Sequence, residues 1–329
     1  MQNDTSAQGV RCCGGTVVSA VGASVGPGFF KVFNSRFALL LIVMSLGFPG
    51  VRVLAARSQP RASNLLIETQ DLAGHLSDQS LRILDARPVP EYEQGHIPGA
   101  VSCPAPATDD LEANRQGLPL PLDRAQQVFE GAGVNNSSRV IVYDDQGNRF
   151  AARLFYVLEA LGHSHVQVLN GGFSKWRSEG LPLTSEVPTL KTGDFTPNPT
   201  SSQVVTSSWV VDHLKNPQVV VVDARSPEEF RGEKVEGPRG GHIPGAVNIE
   251  WTRTITPGSI RTFLAGDQLE QIFRASAVTP EKTVVTYCQM GMRASQIYFV
   301  LRLLGYEHVY VYDASWEEWS ARPDLPVEK

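Results

Sequence analysis

The chain has 329 residues, a hydrophobic fraction of 42%, a charged fraction of 19% and a formal net charge of −5. That length carries a prior of about two domains, and that balance belongs to a folded protein with ample core, which excludes a disordered chain. The mild negative charge and the lack of any basic block speak against nucleic acid as a partner.

The first element is an apolar run from Phe37 to Phe48, interrupted only by Ser45 and Gly47 and preceded by Lys31 and Arg36. A membrane span needs about 20 apolar residues, so this run is short for one. Small residues around Ala55 complete the pattern of a secretory leader over residues 1–56, cut after Ala55 or Ala56. The expectation is an exported protein, periplasmic or extracellular, with no stable membrane insertion once the leader is gone. An uncleaved anchor is the alternative. Cys12 and Cys13 fall in the leader, which leaves Cys103 and Cys288 in the mature chain, both expected as free thiols.

The remaining elements come twice. Leu81-Arg82-Ile83-Leu84-Asp85-Ala86-Arg87 answers to Val219-Val220-Val221-Val222-Asp223-Ala224-Arg225. Gly95-His96-Ile97-Pro98-Gly99-Ala100-Val101 recurs as Gly241-His242-Ile243-Pro244-Gly245-Ala246-Val247. Val140 to Tyr143 matches Thr283 to Tyr287, and each is followed by a helical pattern stopped at Leu161-Gly162 or Leu304-Gly305. Short strands then lead to Trp-bearing helices near Trp176 and Trp316 to Trp319. Almost wholly apolar strands alternating with helices predict an α/β fold. Each half is then a parallel sheet of about five strands with helices on both faces. The halves are placed at 62–183 and 203–329, joined by a Pro-, Thr- and Ser-rich linker at 184–202. Asp223 reads as a cap on the turn after its strand, and Ile-Pro-Gly as a turn. His96 and His242 occur in both copies, including the one without a cysteine in its strand-end loop, so they read as loop-fixing residues.

Cys288 carries the chemistry. It ends the run Val284-Val285-Thr286-Tyr287 and opens Cys288-Gln289-Met290-Gly291-Met292-Arg293, after which a helix runs from Ala294 to Leu304. A strand feeding a tight turn into a helix start gathers backbone N–H groups at the positive end of the helix dipole. A thiol there is biased toward thiolate, and Arg293 adds charge. The competing reading is a small buried hydrophobe. In the first half the same place holds Asp144-Asp145-Gln146-Gly147-Asn148-Arg149, where a carboxylate replaces the thiol. That half is expected to be structural, forming one wall of a cleft that holds Cys288, with a regulatory anion site as the alternative.

The ordered set Asp-Ala-Arg, Glu-Tyr or Glu-Phe, Gly-His-Ile-Pro-Gly-Ala and strand–Cys–loop–helix, present twice, resembles the rhodanese family of sulfurtransferases. With its nucleophile in the second copy alone, the chain is similar to the tandem thiosulfate and 3-mercaptopyruvate sulfurtransferases. The resemblance implies a Cys288 persulfide, a small-molecule sulfur donor, a thiophilic acceptor such as cyanide or a thiol, and neither metal nor other cofactor. It also implies a substrate site built from the loop residues Gln289, Met290, Gly291, Met292 and Arg293, with the family's binding arginines mapping onto Arg225 and Arg239. Met290 stands where the mercaptopyruvate enzymes carry a serine, and Cys-Gln-x-x-x-Arg resembles a subgroup assigned to thiosulfate. Thiosulfate is therefore the expected donor, with mercaptopyruvate or a non-enzymatic sulfur-carrier role as alternatives. Phosphatases of related fold read Cys-x5-Arg, one residue longer than the spacing here.

Overall fold

The computed structural model describes residues 64–199 and 203–329, so the expected leader at 1–56 lies outside the described residues. The first half runs β1 (Leu66–Ile67), α1 (Thr69–Ala73), β2 (Leu81–Asp85), α2 (Val89–Gln94), β3 (Ala100–Ser102), α3 (Leu111–Arg115), α4 (Leu122–Gly131), β4 (Arg139–Tyr143), α5 (Arg149–Ala160), β5 (Val166–Leu169) and α6 (Gly172–Ser178). The second runs α7 (Ser207–His213), β6 (Val219–Asp223), α8 (Pro227–Phe230), β7 (Val247–Asn248), α9 (Gly266–Ala275), β8 (Thr283–Tyr287), α10 (Met292–Leu303), β9 (Val309–Val311) and α11 (Ser315–Ala321). Among the described residues no helix is long and apolar enough to cross a membrane.

Both sheets are parallel throughout, in the orders β1-β5-β4-β2-β3 and β7-β6-β8-β9. The β-branched central strands explain this: Val140, Ile141, Val142 and Tyr143 are all fully buried, as strands covered on both faces must be. The second sheet has four strands where about five were expected. The place of β1 is taken by Val204, which makes one parallel bridge with Val311. The repeat extends to register, with Asp85 opposite Tyr143 and Asp223 opposite Tyr287.

The loops at the strand ends repeat as well. Asp85 and Asp223 each accept the backbone N–H two residues on, at 3.0 and 2.9 Å, which closes the turn into α2 and α8. His96 stacks on Tyr92 and bonds its carbonyl oxygen, and His242 does the same with Phe230. Each histidine backbone also pairs with a distant segment, Thr184 or Glu328, so the two rings fix loops as the sequence suggested.

The linker is not a loose tether where it is described. Phe195 is buried edge-on against Phe129, and Asn198 donates to the Leu161 carbonyl. Gly193 passes so close to the first half that a Cβ there would lie 1.9 Å from the Val134 oxygen. The halves share one core, centred on α5 and α10, which are buried almost all round. Phe155 meets Phe299 edge-on at 4.9 Å, and Tyr156 meets Tyr298 at 5.2 Å. Such pairs contribute about 0.5–1.5 kcal/mol each beyond the area they bury.

Candidate active site

Cys288 is the first residue after β8, and its backbone is held on both sides. Its N–H donates to Ser315 Oγ at 3.1 Å, and its carbonyl accepts the Trp316 N–H at 3.0 Å. The loop then turns at Gly291, with φ of +82°, into α10. The first intrahelical bond runs from the Ser295 N–H to the Gly291 oxygen at 2.9 Å. The N–H groups of Met292, Arg293 and Ala294 precede it and so have no acceptor within the helix. They form the positive rim of the loop.

The first half shows what such a loop binds. There the Asp144 carboxylate stands in place of the thiol and takes four backbone N–H groups. Gln146 and Asn148 donate to Oδ1 at 2.9 Å, and Phe150 and Ala151 donate to Oδ2 at 2.7 and 3.0 Å. Burial pushes this carboxyl above the ordinary range, and the four donors pull it back in part. Loop plus helix start is therefore an anion receptor in this fold, and its occupant in the first half is the chain's own side chain.

Cys288 is fully buried, not at the mouth of an open cleft as expected. The loop outside it is more open, with Met290 50% exposed. Cys103 is also free and buried, and burial together with Asp85 pushes its thiol up to about 12. It has no N–H cradle and is not ionised at neutral pH.

The expected charged partners are not all disposed toward substrate. Arg293 lies within electrostatic reach of Cys288, but its fork is bidentate to Glu229 at 2.7 and 2.9 Å. Glu229 in turn completes the capping box of α8 with Ser226. Although burial alone would raise its carboxyl, the Arg293 fork brings it down to about 2. The charge beside Cys288 is thus a pair, not a free cation.

Arg225 and Arg239, expected as binding arginines, both have their guanidinium groups hydrogen-bonded within the fold. Arg225 is 1% exposed, bonds Asp223 and the Gly241 oxygen at 2.7 Å each, and lies over the Trp316 ring. Arg87, in the copy without the cysteine, does the same with Asp85, the Gly95 oxygen and Phe173. The buried pair is a feature common to both copies of the repeat. Arg239 donates to the carbonyls of Trp319, Ser320, Arg322 and Leu325, so it caps the C-terminal end of α11.

Of the remaining loop residues, the Gln289 amide donates to Glu317 at 3.1 Å and to the Glu236 carbonyl at 3.4 Å, while Met292 packs half-buried on the core. Sequence reading missed Ser315, Glu229 and the pair Arg153–Asp313 behind Gly291. Ser315 alone had a signal. It occupies the left-handed position that Gly172 holds in the first half, with φ of +52° against +53°.

The model of the Rhodanese-like domain matches residues 68–179 and 206–322. The chain is 36% identical to a thiosulfate sulfurtransferase of Azotobacter vinelandii, over 80% of this chain and 97% of that one. It is 34% identical to the sulfur carrier protein TtuD of Thermus thermophilus, over 80% and 96%, and 35% identical to the 3-mercaptopyruvate sulfurtransferase of Escherichia coli K12, over 78% and 95%. Among solved structures, a variant of EanB in complex with ergothioneine superimposes with a TM-score of 0.73 at 25% identity, covering 81% of this chain and 70% of that one. Doubled parallel sheets, a cysteine at the start of a helix and matches across both halves lead to one assignment: the chain belongs to the rhodanese-like domain family, with two copies in tandem.

Proposed function

We propose that this protein is a sulfurtransferase that takes sulfane sulfur from thiosulfate and passes it to a thiophilic acceptor through a Cys288 persulfide. The observation that carries the reading is the pair of equivalent loops. One holds a carboxylate in four N–H donors, and the other puts Cys288 where that carboxylate stands. The Cys288 thiolate attacks the outer sulfur, a Cys–S bond forms, the S–S bond of thiosulfate breaks, and the electron pair leaves with sulfite. Cyanide or a thiolate then attacks the terminal sulfur and returns the Cys288 thiolate. A thiolate nucleophile needs no general base, and the loop N–H groups stabilise both the persulfide anion and the departing dianion.

Charge and loop chemistry favour thiosulfate over mercaptopyruvate. Met290 offers no hydroxyl, Gln289 is tied to Glu317, and the helix start suits a dianion. Purified protein assayed side by side with the two donors, cyanide as acceptor, is expected to prefer thiosulfate by kcat/KM. A preference for mercaptopyruvate refutes the donor, and labelling of Cys288 with slow turnover on both favours the carrier role. Residues 1–56 are proposed as an export leader, with the working protein outside the cytoplasm, which N-terminal sequencing of natively expressed material checks. The proposed halves are 62–183 and 203–329.

A further inference from the structure

The cysteine-less half sends a buried arginine to the reactive loop. Arg153, on α5, is fully buried, and its guanidinium Nη1 donates to Asp313 Oδ1 at 2.5 Å across the two halves. Its Nη2 donates to the Thr108 carbonyl at 2.9 Å, and Asp109 Oδ1 lies 3.8 Å away. Asp313 is also fully buried. This pair closes on Gly291: a Cβ built there would lie 2.0 Å from Asp313 Oδ1 and 3.0 Å from Arg153 Nη1. Two residues on from Asp313, Ser315 takes the Cys288 N–H. One short segment therefore touches both ends of the loop, Cys288 at its start and Gly291 at its turn, and Arg153 is the group that holds this segment from the other half.

The repeat shows that the pair is not a requirement of either domain. With Leu161-Gly162 aligned on Leu304-Gly305, Arg153 corresponds to Gln296, so α10 folds with a neutral side chain there, its Nε2 donating to Thr254 Oγ1 at 3.2 Å. Asp313 corresponds to Asn170, which turns to Glu68 and to the Phe263 N–H instead. A buried ion pair is a poor source of stability compared with apolar residues of similar volume, although losing one partner strands the other. Its retention against Gly291, where the turn tolerates no Cβ, calls for a reason in the loop.

We infer that Arg153 is a positioning residue for sulfur transfer: through Asp313 it sets the Gly291 turn, and thereby the N–H groups that face Cys288. The cysteine-less half is thus a working part of the reactive loop. This rests on the sulfurtransferase reading, so the test has one arm that needs no sulfur donor. Arg153→Met, Arg153→Lys and the neutral pair Arg153→Gln/Asp313→Asn are compared with wild type in two assays. The first is steady-state transfer from thiosulfate to cyanide, and the second is alkylation of Cys288 by iodoacetamide across pH. Arg153→Met is expected to lower kcat at least tenfold with KM changed less than twofold, and to move the alkylation profile to higher pH. Arg153→Lys is expected to recover part of both. Should Arg153→Met fail to fold, the neutral pair removes the stranded charge, and it is expected to fold yet keep the shifted profile. Folded Arg153→Met or neutral-pair protein with wild-type kcat and alkylation profile overturns the inference, as does a neutral pair that also fails to fold, since the role is then structural. Wild-type protein inert toward both thiosulfate and mercaptopyruvate refutes the sulfurtransferase reading alone, because the alkylation arm still reports on Arg153.

Discussion

Ser315 shows how the geometry of one residue serves the sulfur. A non-glycine residue in left-handed backbone costs roughly 1 kcal/mol, and the hydrogen bond its Oγ accepts from Cys288 returns about the same. Ser315→Gly removes both, and also the bond that Ser315 Oγ donates to the Tyr312 carbonyl, so stability is expected to fall by about 1 kcal/mol while Cys288 loses its tether. Single-turnover persulfide formation should slow severalfold with a small drop in Tm, whereas Ser315→Ala keeps the strain, loses both bonds and lowers Tm further. The two cysteines separate on similar grounds. Cys288→Ser is expected to abolish transfer, and Cys103→Ser to leave it nearly intact, because the Cys103 thiol sits at about 12 in an apolar enclosure. Mass spectrometry after thiosulfate treatment should find one added sulfur on the Cys288 peptide, and finding it on Cys103 would contradict the assignment. Cys288 was legible because its signal is local, a β-branched run, a thiol, a glycine and a helix within a dozen residues. The contacts of Arg239 were not legible, because the carbonyls ending α11 lie about eighty residues away, as the Trp319 contact shows with its separation of 80.

At the scale of elements, the link between α8 and α10 is the Glu229–Arg293 fork, and it has a defined acid limit. The Glu229 carboxyl lies at about 2 in the folded protein against 4.5 as its ordinary value. The unfolded chain therefore binds more protons between those values, so this pair's contribution is complete above about pH 4.5 and is lost as pH falls toward 2. Glu229→Gln should flatten the stability curve within that window and leave its slope above pH 5 unchanged, as urea midpoints over a pH series would show. Arg293→Ala acts differently, because it strands a carboxylate that is 2% exposed beside the thiol. A loss of about tenfold to hundredfold in kcat/KM on thiosulfate is expected, or ~1.4–2.8 kcal/mol. An unchanged kcat/KM would leave activation to the backbone N–H groups. The elements themselves were readable from periodicity, with one exception. The fifth strand of the second sheet shrinks to Val204, since Gln203 and Val205 bond Val311 but no longer run follows before Thr206 caps α7.

At the scale of the whole molecule, the duplicated sequence suggested two domains with a cleft; each half keeps a buried cluster of its own, and a third cluster is shared by both. The reason lies in α5 and α10. Each is the helix that follows its reactive-type loop, and each is buried on nearly every side. They bury one another, with Phe155 on Phe299 and Tyr156 on Tyr298, while Glu159 accepts from the Tyr298 hydroxyl at 2.6 Å and from Arg302 at 3.1 Å. Periodicity could reveal that these helices are wholly buried. It could not reveal that the burying surface comes from the other copy. The arrangement explains why a half without a thiol persists: it supplies the wall against which α10, and hence the loop at its N-terminus, is fixed. A chain of residues 203–329 alone would expose Ile297, Phe299, Val300 and Phe263 to water, residues that are at most 7% exposed in the whole protein. Such a fragment is expected to bind a hydrophobic dye and to unfold without a sharp transition. The full chain should melt in one cooperative step, because the cluster around α5 and α10 is shared by both halves. Two separate calorimetric transitions in the full chain, or a fragment with native near-UV dichroism and wild-type Cys288 alkylation, would show that the halves are independent after all.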